Sequence, residues 1–204
     1  MTILISQKVE LLNISHTDPI RFLEKVARTC YKSENLIQHG SAERLIRNLI
    51  EKGHEAMLEH VTITVKFTTN RAIANEIVRH RMASYAQEST RYCNYSKDTF
   101  GKNLKFVLPM DIDMESYTKI FDLYLKIEEL YLTLIKSGIT PEMARGILPL
   151  DLATELIMTA NLREWRHFIK LRGSKEAHPQ IRSLTEDLVE QFQDRIPIIF
   201  NGLL

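Results

Sequence analysis

One stretch of thirteen residues, 79–91 (RHRMASYAQESTR), concentrates side chains that bind anions. Arg79, His80, Arg81 and Arg91 supply positive charge and hydrogen-bond donors, and the stretch contains no lysine. Arginine binds phosphates and other planar oxygen pairs through two parallel hydrogen bonds, whereas lysine acts as a point charge. The pattern therefore favours a pocket for a small planar anion such as a nucleotide. A solvated or salt-bridged helix end is the alternative that the residues alone leave open.

A second polar segment, residues 53–60 (GHEAMLEH), precedes a run of alternating polar and apolar residues. His54 and His60 lie six residues apart, unlike the i, i+4 histidine pair of helical zinc sites. A zinc site would also need a thiolate or a third ligand close by. We therefore predict no metal site. The segment is interpreted either as a structural turn or as a contact to an organic ligand.

A third segment, residues 161–172 (NLREWRHFIKLR), has the spacing of an amphipathic helix. The side chains predicted to lie in the core are Trp165, Phe168, Ile169 and Leu171. The polar candidates for ligand binding are Asn161, Arg163, His167 and Arg172. A plain surface helix is the alternative, because arginine-rich helices are common on protein surfaces.

Two further residues could be nucleophiles, namely Cys93 and Ser89. The sequence shows no activating base in an obvious position beside either residue. We interpret Cys93 as a small structural side chain. Ser89 is interpreted as a hydroxyl that hydrogen-bonds a ligand.

Composition restricts the class of protein. The 204 residues carry a net charge of +1, whereas a domain that binds nucleic acid is usually strongly basic. The chain lacks an N-terminal export signal and an apolar run long enough to span a membrane, so a cytoplasmic location is expected. Neither a GxGxxG nor a GxxxxGK[ST] motif occurs, so any nucleotide would be bound without a Rossmann turn or P-loop. We expect a single domain, residues 1–204.

The elements that must position these segments follow from periodicity. Strands are predicted over 3–12, 60–68 and 105–108 and after Leu150; in the second, Val61, Ile63, Val65 and Phe67 should face one way. Helices are predicted after Thr17, from an N-cap at Ser41 to a stop at Gly53, and from a cap at Asn70 to Val78. Further helices are predicted over 114–137, from Pro141, over 161–172 and over 179–194. Strands and helices without a regular βαβ order indicate an α+β fold with a mainly antiparallel central sheet, flanking helices and no Rossmann fold.

The helix that ends near Val78 should deliver Arg79–Arg81 at its C-terminal end. Should this helix give way to a loop near Ser84, the backbone N–H groups of Gln87–Ser89 could join Arg79 and Arg91 around a phosphate.

Together these segments resemble the flavin-dependent thymidylate synthase family. RHRMASYAQES resembles the family signature, an RHR followed seven residues later by Ser, and GHEAMLEH resembles the GHxxxxEH block upstream of it. ARTCY (27–31), MARGILPL (143–150) and NLREWRHFIKLR match further family blocks in the same order. The resemblance covers nearly the whole chain.

The resemblance implies a specific reaction. Members methylate dUMP to dTMP with 5,10-methylenetetrahydrofolate as the one-carbon donor, and NADPH supplies reducing equivalents through FAD. It also implies an α+β subunit that assembles into a homotetramer, with the FAD and dUMP sites built where subunits meet. Neither a nucleic acid nor a membrane is an expected partner.

The resemblance also implies roles for individual residues. The positions expected to contact dUMP are Glu76, Arg79, Gln87, Glu88, Ser89, Thr90, Arg91, Arg145 and Arg172. The positions expected to contact FAD are His54, Glu59, Arg79, His80, Arg81, Gln87, Asn161, Arg163 and His167. Arg172 is the expected catalytic residue, because it resembles the arginine that favours ionisation of the uracil at N3. A non-catalytic dUMP-binding regulatory module is the competing hypothesis.

Overall fold

The α+β prediction agrees with the computed structural model, which describes residues 2–204. The strands are β1 (Ile3–Leu4), β2 (Lys8–Ile14), β3 (Thr62–Asn70), β4 (Ser84–Gln87), β5 (Lys105–Phe106) and β6 (Ala153–Asn161). The helices are α1 (Pro19–Thr29), α2 (Ser41–Glu51), α3 (Arg71–Ile77), α4 (Met114–Lys136), α5 (Pro141–Ala144), α6 (Leu162–Arg172), α7 (Pro179–Arg195) and α8 (Pro197–Phe200). Short 3₁₀ turns cover Glu34–Leu36, Ala56–His60, Asp98–Phe100 and Arg145–Ile147.

The larger sheet has four antiparallel strands in the order β2-β3-β6-β4. A second, two-stranded sheet pairs β1 with β5 in parallel, with Ile3 opposite Lys105. The single strand predicted over 3–12 is therefore wrong, because the chain leaves one sheet after Leu4 and enters the other at Lys8. The strand predicted over 105–108 is also shorter than expected. The mainly antiparallel central sheet is confirmed.

The described chain divides into two compact units, each assembled from separate segments. Of the described residues, unit 1 comprises 2–8, 67–79 and 86–156, and unit 2 comprises 9–66, 80–85 and 157–204. The segment 79–91 therefore leaves unit 1 after Arg79, passes through unit 2 and returns to unit 1 at Ala86. That the whole chain acts as one domain stays a prediction.

The core of unit 2 confirms the alternating pattern predicted for β3. Val61, Ile63 and Val65 are all fully buried. Trp165 of α6 is also fully buried, and its indole Nε1–H donates a hydrogen bond to the Ile63 carbonyl at 3.1 Å. Leu171 was predicted to lie in this core and is instead 47% exposed, because it falls outside the buried stripe of the helix.

The core of unit 1 is built on aromatic side chains of α4 and β5. Phe106 stacks on Tyr124 with ring centroids 4.1 Å apart. The Tyr124 hydroxyl donates a hydrogen bond to Oδ2 of Asp151 at 2.7 Å, which satisfies its polar end. Burial and the neighbouring Asp151 carboxylate raise the pKa of Tyr124, so it stays a neutral donor.

Side-chain caps fix the starts of the two helices that border the polar segments. Oδ1 of Asn70 accepts from the Ile73 N–H at the start of α3, and Oδ1 of Asn161 accepts from the Glu164 N–H at the start of α6, both at 2.9 Å. Ser41 was predicted to be the N-cap of α2, and this prediction is wrong. Gly40 holds that position, and the Ser41 hydroxyl donates instead to the buried Glu24 carboxylate at 2.6 Å.

Hydropathy and helix length bear on membrane association. Within residues 2–204, none of the helices combines the length and the apolar character that crossing a bilayer requires.

Candidate functional site

The segment 79–91 begins where α3 ends. α3 stops at Ile77, and the next residues alternate sharply in exposure: Arg79 and Arg81 are exposed, whereas His80 is only 5% exposed. The predicted delivery of this segment at a helix C-terminus is confirmed. The loop considered near Ser84 is in fact the short strand β4.

The pairing of β4 changes what its end can offer to an anion. The Glu88 backbone N–H donates to the Glu155 carbonyl at 2.9 Å, so it is not available for a phosphate. The expectation that this N–H joins a phosphate cradle is therefore wrong. The Glu88 carboxylate accepts a hydrogen bond from the buried Tyr95 hydroxyl at 2.7 Å, and Gln87 donates to Oγ1 of Thr154 at 3.4 Å.

Several of these residues, though not Gln87, border a cavity of unit 1. Its volume is about 480 Å³, and its lining includes Glu88, Tyr95, Thr154 and Lys105 beside the apolar side chain of Ile3 in β1. A cavity of this size falls in the range that small organic ligands occupy. Tyr95 stays a neutral donor there, because burial and the neighbouring Glu88 raise its pKa.

Contacts within unit 1 link the end of the segment to α5 and to the 3₁₀ turn that follows it. Nε of Arg91 lies 2.8 Å from a carboxylate oxygen of Glu142, with both side chains about half exposed. Nη1 of Arg145 lies 3.5 Å from Oγ1 of the buried Thr90. Arg145 therefore contacts the residue that precedes Arg91 in the chain, and two arginines at one loop are suited to binding a phosphate.

In unit 2, a carboxylate joins the segment to α6. Oε2 of Glu164 lies 3.1 Å from Nε2 of His80 and 3.5 Å from Nδ1 of His167. Burial lowers the pKa of His80, and the charges of His167 and Arg172 lower it further; the Glu164 carboxylate opposes them without reversing the direction. His80 is therefore a neutral imidazole at neutral pH.

Arg172, the last residue of α6, acts on the same region electrostatically. Its half-buried guanidinium lowers the pKa of His80 and opposes the rise in the pKa of Tyr85. Burial dominates at Tyr85 and raises its pKa to about 12, so this phenol keeps its proton. The Tyr85 hydroxyl donates to the His80 carbonyl, which anchors the backbone of the histidine.

The predicted segment 53–60 joins α6 through two ion pairs. Glu59 lies 2.6 Å from Nη1 of Arg163, and Glu55 lies 3.1 Å from Nε of the buried Arg166. His54 is exposed at the start of this segment. A cleft of about 310 Å³ is lined by Glu55, Arg163, Glu164, Arg166, His167 and Lys170.

The structure thus brings together polar residues from all three predicted segments in unit 2. Glu164, which sequence reasoning missed, is the residue that connects them. Its only sequence signal is the Asn-x-x-Glu spacing of a capped helix start, which indicates a structural role, and its partner His80 is 84 positions away. Glu142, the distant partner of Arg91, was missed for the same reason, whereas Tyr95 lies only seven positions from Glu88 and was missed because no motif marks that contact.

The donor atoms of His80, Glu164 and His167 lie within 4.8 Å of one another, as a metal-binding trio would. However, Arg172 contributes a positive charge at His80, and Arg163 and Lys170 line the cleft beside the trio, which disfavours a divalent cation. The absence of a metal site stays a prediction.

The two cysteines are free thiols. Burial and the neighbouring Glu88 carboxylate raise the pKa of Cys93, so its reactive thiolate form is scarce at neutral pH. Oγ of Ser89 accepts from the Arg91 backbone N–H at 3.3 Å. Both observations fit the interpretation of Cys93 as structural and of Ser89 as a hydrogen-bonding residue.

Comparison with known proteins places these residues in a family context. Residues 12–198 match the family described as "Thymidylate synthase complementing protein". The chain is 36% identical over 166 residues to the flavin-dependent thymidylate synthase of Pyrococcus furiosus, covering 76% of this chain and 67% of that protein. It is 30% identical over 203 residues to the Geobacter sulfurreducens flavin-dependent thymidylate synthase, covering 95% and 85%.

A solved structure shares the fold. The chain superposes on the UMP/dUMP methylase PolB from Streptomyces cacaoi, bound with 5-Br dUMP, with a TM-score of 0.79 and 26% identity, covering 97% of this chain and 95% of that one. Because the family match spans nearly the whole chain and relatives reach this identity over most of their length, the chain belongs to the flavin-dependent thymidylate synthase family.

Proposed function

We propose that this chain is an FAD-dependent thymidylate synthase that methylates dUMP to dTMP. The observation that carries this proposal is the meeting of three distant polar segments in unit 2, where His80 joins α6 through Glu164 and Glu59 joins it through Arg163. These segments are the ones whose sequences resemble the family blocks.

On the nucleotide side, we assign the dUMP contacts to Glu76, Arg79, Gln87, Glu88, Ser89, Thr90, Arg91, Arg145 and Arg172. Exposed Arg145 contacts Thr90, the residue that precedes exposed Arg91, so two guanidinium groups belong to this loop region, which supports a phosphate contact there. Charge-assisted bonds from guanidinium groups are the strong contacts to such an anion. Ser89 would orient the nucleotide rather than form a covalent bond to it.

On the cofactor side, we assign the FAD contacts to His54, Glu59, Arg79, His80, Arg81, Gln87, Asn161, Arg163 and His167. Arg163, Arg166 and Lys170 line the cleft beside α6 against the two carboxylates of Glu55 and Glu164, and this excess of positive charge supports a contact to the FAD diphosphate. The Oδ1 atom of Asn161 already caps α6, so the side-chain NH₂ group of Asn161 is the part left for a ligand. When bound, FAD carries reducing equivalents from NADPH to the one-carbon unit.

Arg172 would stabilise the charge that develops on the substrate. A fixed guanidinium beside the uracil favours the anion that forms at N3 and makes C5 more nucleophilic toward the one-carbon unit. The half-buried position of Arg172 at the end of α6 supports this role, because a partly desolvated charge acts more strongly than one in bulk water.

Several parts of the proposal rest on the family alone. We propose that 5,10-methylenetetrahydrofolate and NADPH are the co-substrates, that residues 1–204 form one catalytic domain, and that the protein is cytoplasmic. We also propose a homotetramer with active sites at subunit interfaces and with neither a nucleic acid nor a membrane as partner.

The absorbance spectrum of the purified protein tests this function against a regulatory dUMP-binding module. After incubation with FAD and removal of free cofactor, we expect a yellow protein whose flavin bands shift when dUMP is titrated in. A colourless protein that binds dUMP but takes up no FAD would instead support the regulatory module.

A further inference from the structure

Glu164 lies between two imidazoles at the point where the segment 79–91 meets α6. Its Oε2 atom is 3.1 Å from Nε2 of His80, whose side chain is 3% exposed, and 3.5 Å from Nδ1 of His167, whose side chain is 63% exposed. The two imidazole centroids are 5.2 Å apart. A single carboxylate oxygen thus contacts a buried and a solvated histidine.

Both partners of the buried contact are held in place. The backbone N–H of Glu164 donates to the Asn161 cap at 2.9 Å, in the first turn of α6, where a negative charge is favourable. The His80 ring packs edge-on against the Phe168 ring, with ring centroids 5.5 Å apart. The backbone carbonyl of His80 accepts a hydrogen bond from the Tyr85 hydroxyl. The contact is therefore built into the fold rather than made by two flexible side chains.

An ionised carboxylate can only accept hydrogen bonds, so Nε2 of His80 must donate. A neutral imidazole carries one N–H, which leaves Nδ1 as an acceptor. We propose that Glu164 is a positioning residue that holds the buried His80 in the Nε2–H form, and that this fixed imidazole supports the flavin site beside α6. The flavin part of this inference rests on the proposed function; the choice of tautomer rests on the structure alone.

The tautomer can be measured without flavin or activity. Long-range ¹H–¹⁵N correlation spectra of the protein labelled with ¹⁵N-histidine distinguish a protonated from an unprotonated ring nitrogen. The His80 signals are assigned by their loss in His80→Asn. We expect protonation at Nε2 and none at Nδ1 at neutral pH. A wild-type His80 protonated at Nδ1 would overturn the inference without any variant of Glu164.

Glu164→Gln then tests the causal role. Because a glutamine side chain can either donate or accept, we expect the Nδ1–H form of His80 to become populated and the affinity for FAD to fall about tenfold. In the His80→Asn background, Glu164→Gln should weaken FAD binding no further, because its effect passes through His80. An unchanged tautomer and FAD affinity would overturn the role of Glu164.

Glu43→Gln is the matched control. Glu43 is the third residue of α2, as Glu164 is the third residue of α6, and it is exposed. The Glu43→Gln substitution should leave both the His80 tautomer and the FAD affinity unchanged. If it lowered FAD affinity as much as Glu164→Gln does, loss of any first-turn negative charge would explain the effect and the role of Glu164 would be overturned. If wild-type protein binds no FAD, the proposed function fails, whereas the tautomer measurement still decides the inference.

Discussion

Arg172 is the last residue of α6. Its guanidinium is close enough to lower the pKa of His80 and to oppose the rise in the pKa of Tyr85. We expect Arg172→Ala to reduce the rate of dTMP formation by about 10²–10³, the usual cost of removing one preorganised donor, with FAD still bound. Arg172→Lys should recover little, because an ammonium does not reproduce the planar fork. Turnover assays with the flavin spectrum as a control measure this. Full turnover by Arg172→Ala would contradict the assigned role.

Arg91 is paired with Glu142 across a half-exposed contact of 2.8 Å. We expect Arg91→Ala to raise the dissociation constant for dUMP about 10–100-fold, since a hydrogen bond to a charged group contributes about 1.5–3 kcal/mol. Binding of deoxyuridine, which has no phosphate, should not change. Glu142→Gln removes the carboxylate that competes for Arg91, so this substitution should not weaken dUMP binding. An equal loss for dUMP and deoxyuridine in Arg91→Ala would argue against a phosphate contact.

His80 should make the stability of the protein sensitive to mild acid. Burial, with His167 and Arg172, lowers its pKa below the ordinary 6.5 despite Glu164, so the unfolded chain binds more protons between the two values. The free energy of unfolding therefore falls as pH drops from 6.5 through the folded pKa. Denaturant titrations should show that, as the pH falls over this range, the free energy of unfolding decreases more in wild type than in His80→Asn. A difference that is independent of pH would contradict the lowered pKa.

At the scale of elements, Gly53 lies just after the end of α2 and is the first residue of the polar segment 53–60. Its φ is +74° and nothing lies within 4 Å of an added Cβ, so strain rather than crowding would oppose a side chain there. We expect Gly53→Ala to lower the free energy of unfolding by about 1 kcal/mol in denaturant titrations. Gly146→Ala is the control, because that position is equally open and does not have a left-handed φ. An equal effect of both substitutions would exclude backbone strain.

Much of the element pattern was predictable from the sequence because it depends on local chemistry. The alternation of β3, the Asn70 cap, the Gly53 stop and α4 all follow from neighbouring residues. The break between β1 and β2 was not predictable, because it depends on the distant partner β5. The same limit applies to the site: His80 and His167 carried a sequence signal, whereas Glu164 gains its role from a contact 84 residues away.

At the scale of the molecule, the proposed ligand residues divide between the two units. Of the dUMP residues, all but Arg172 belong to unit 1; of the FAD residues, all but Arg79 and Gln87 belong to unit 2. The segment 79–91 contributes to both units. Substitutions at Arg91 and at His80 should therefore affect different ligands first, although they lie in one thirteen-residue stretch.

The proposed tetramer makes a further prediction. Light scattering should give a mass four times that of the 23.8 kDa chain. If flavin binds where subunits meet, FAD should suppress dissociation on dilution and raise the melting temperature, because it binds only the assembled form. A monomer that binds FAD with full affinity would contradict interface sites.

The central claim is most directly tested with dUMP tritiated at C5. Replacement of the C5 hydrogen by a methyl group must release that tritium to water. With FAD-loaded protein, NADPH and 5,10-methylenetetrahydrofolate, we predict tritium release matched by dTMP formation. We also predict that omitting either co-substrate abolishes dTMP formation. Protein that is loaded with FAD and binds dUMP, yet releases no tritium and forms no dTMP, would contradict the proposed function.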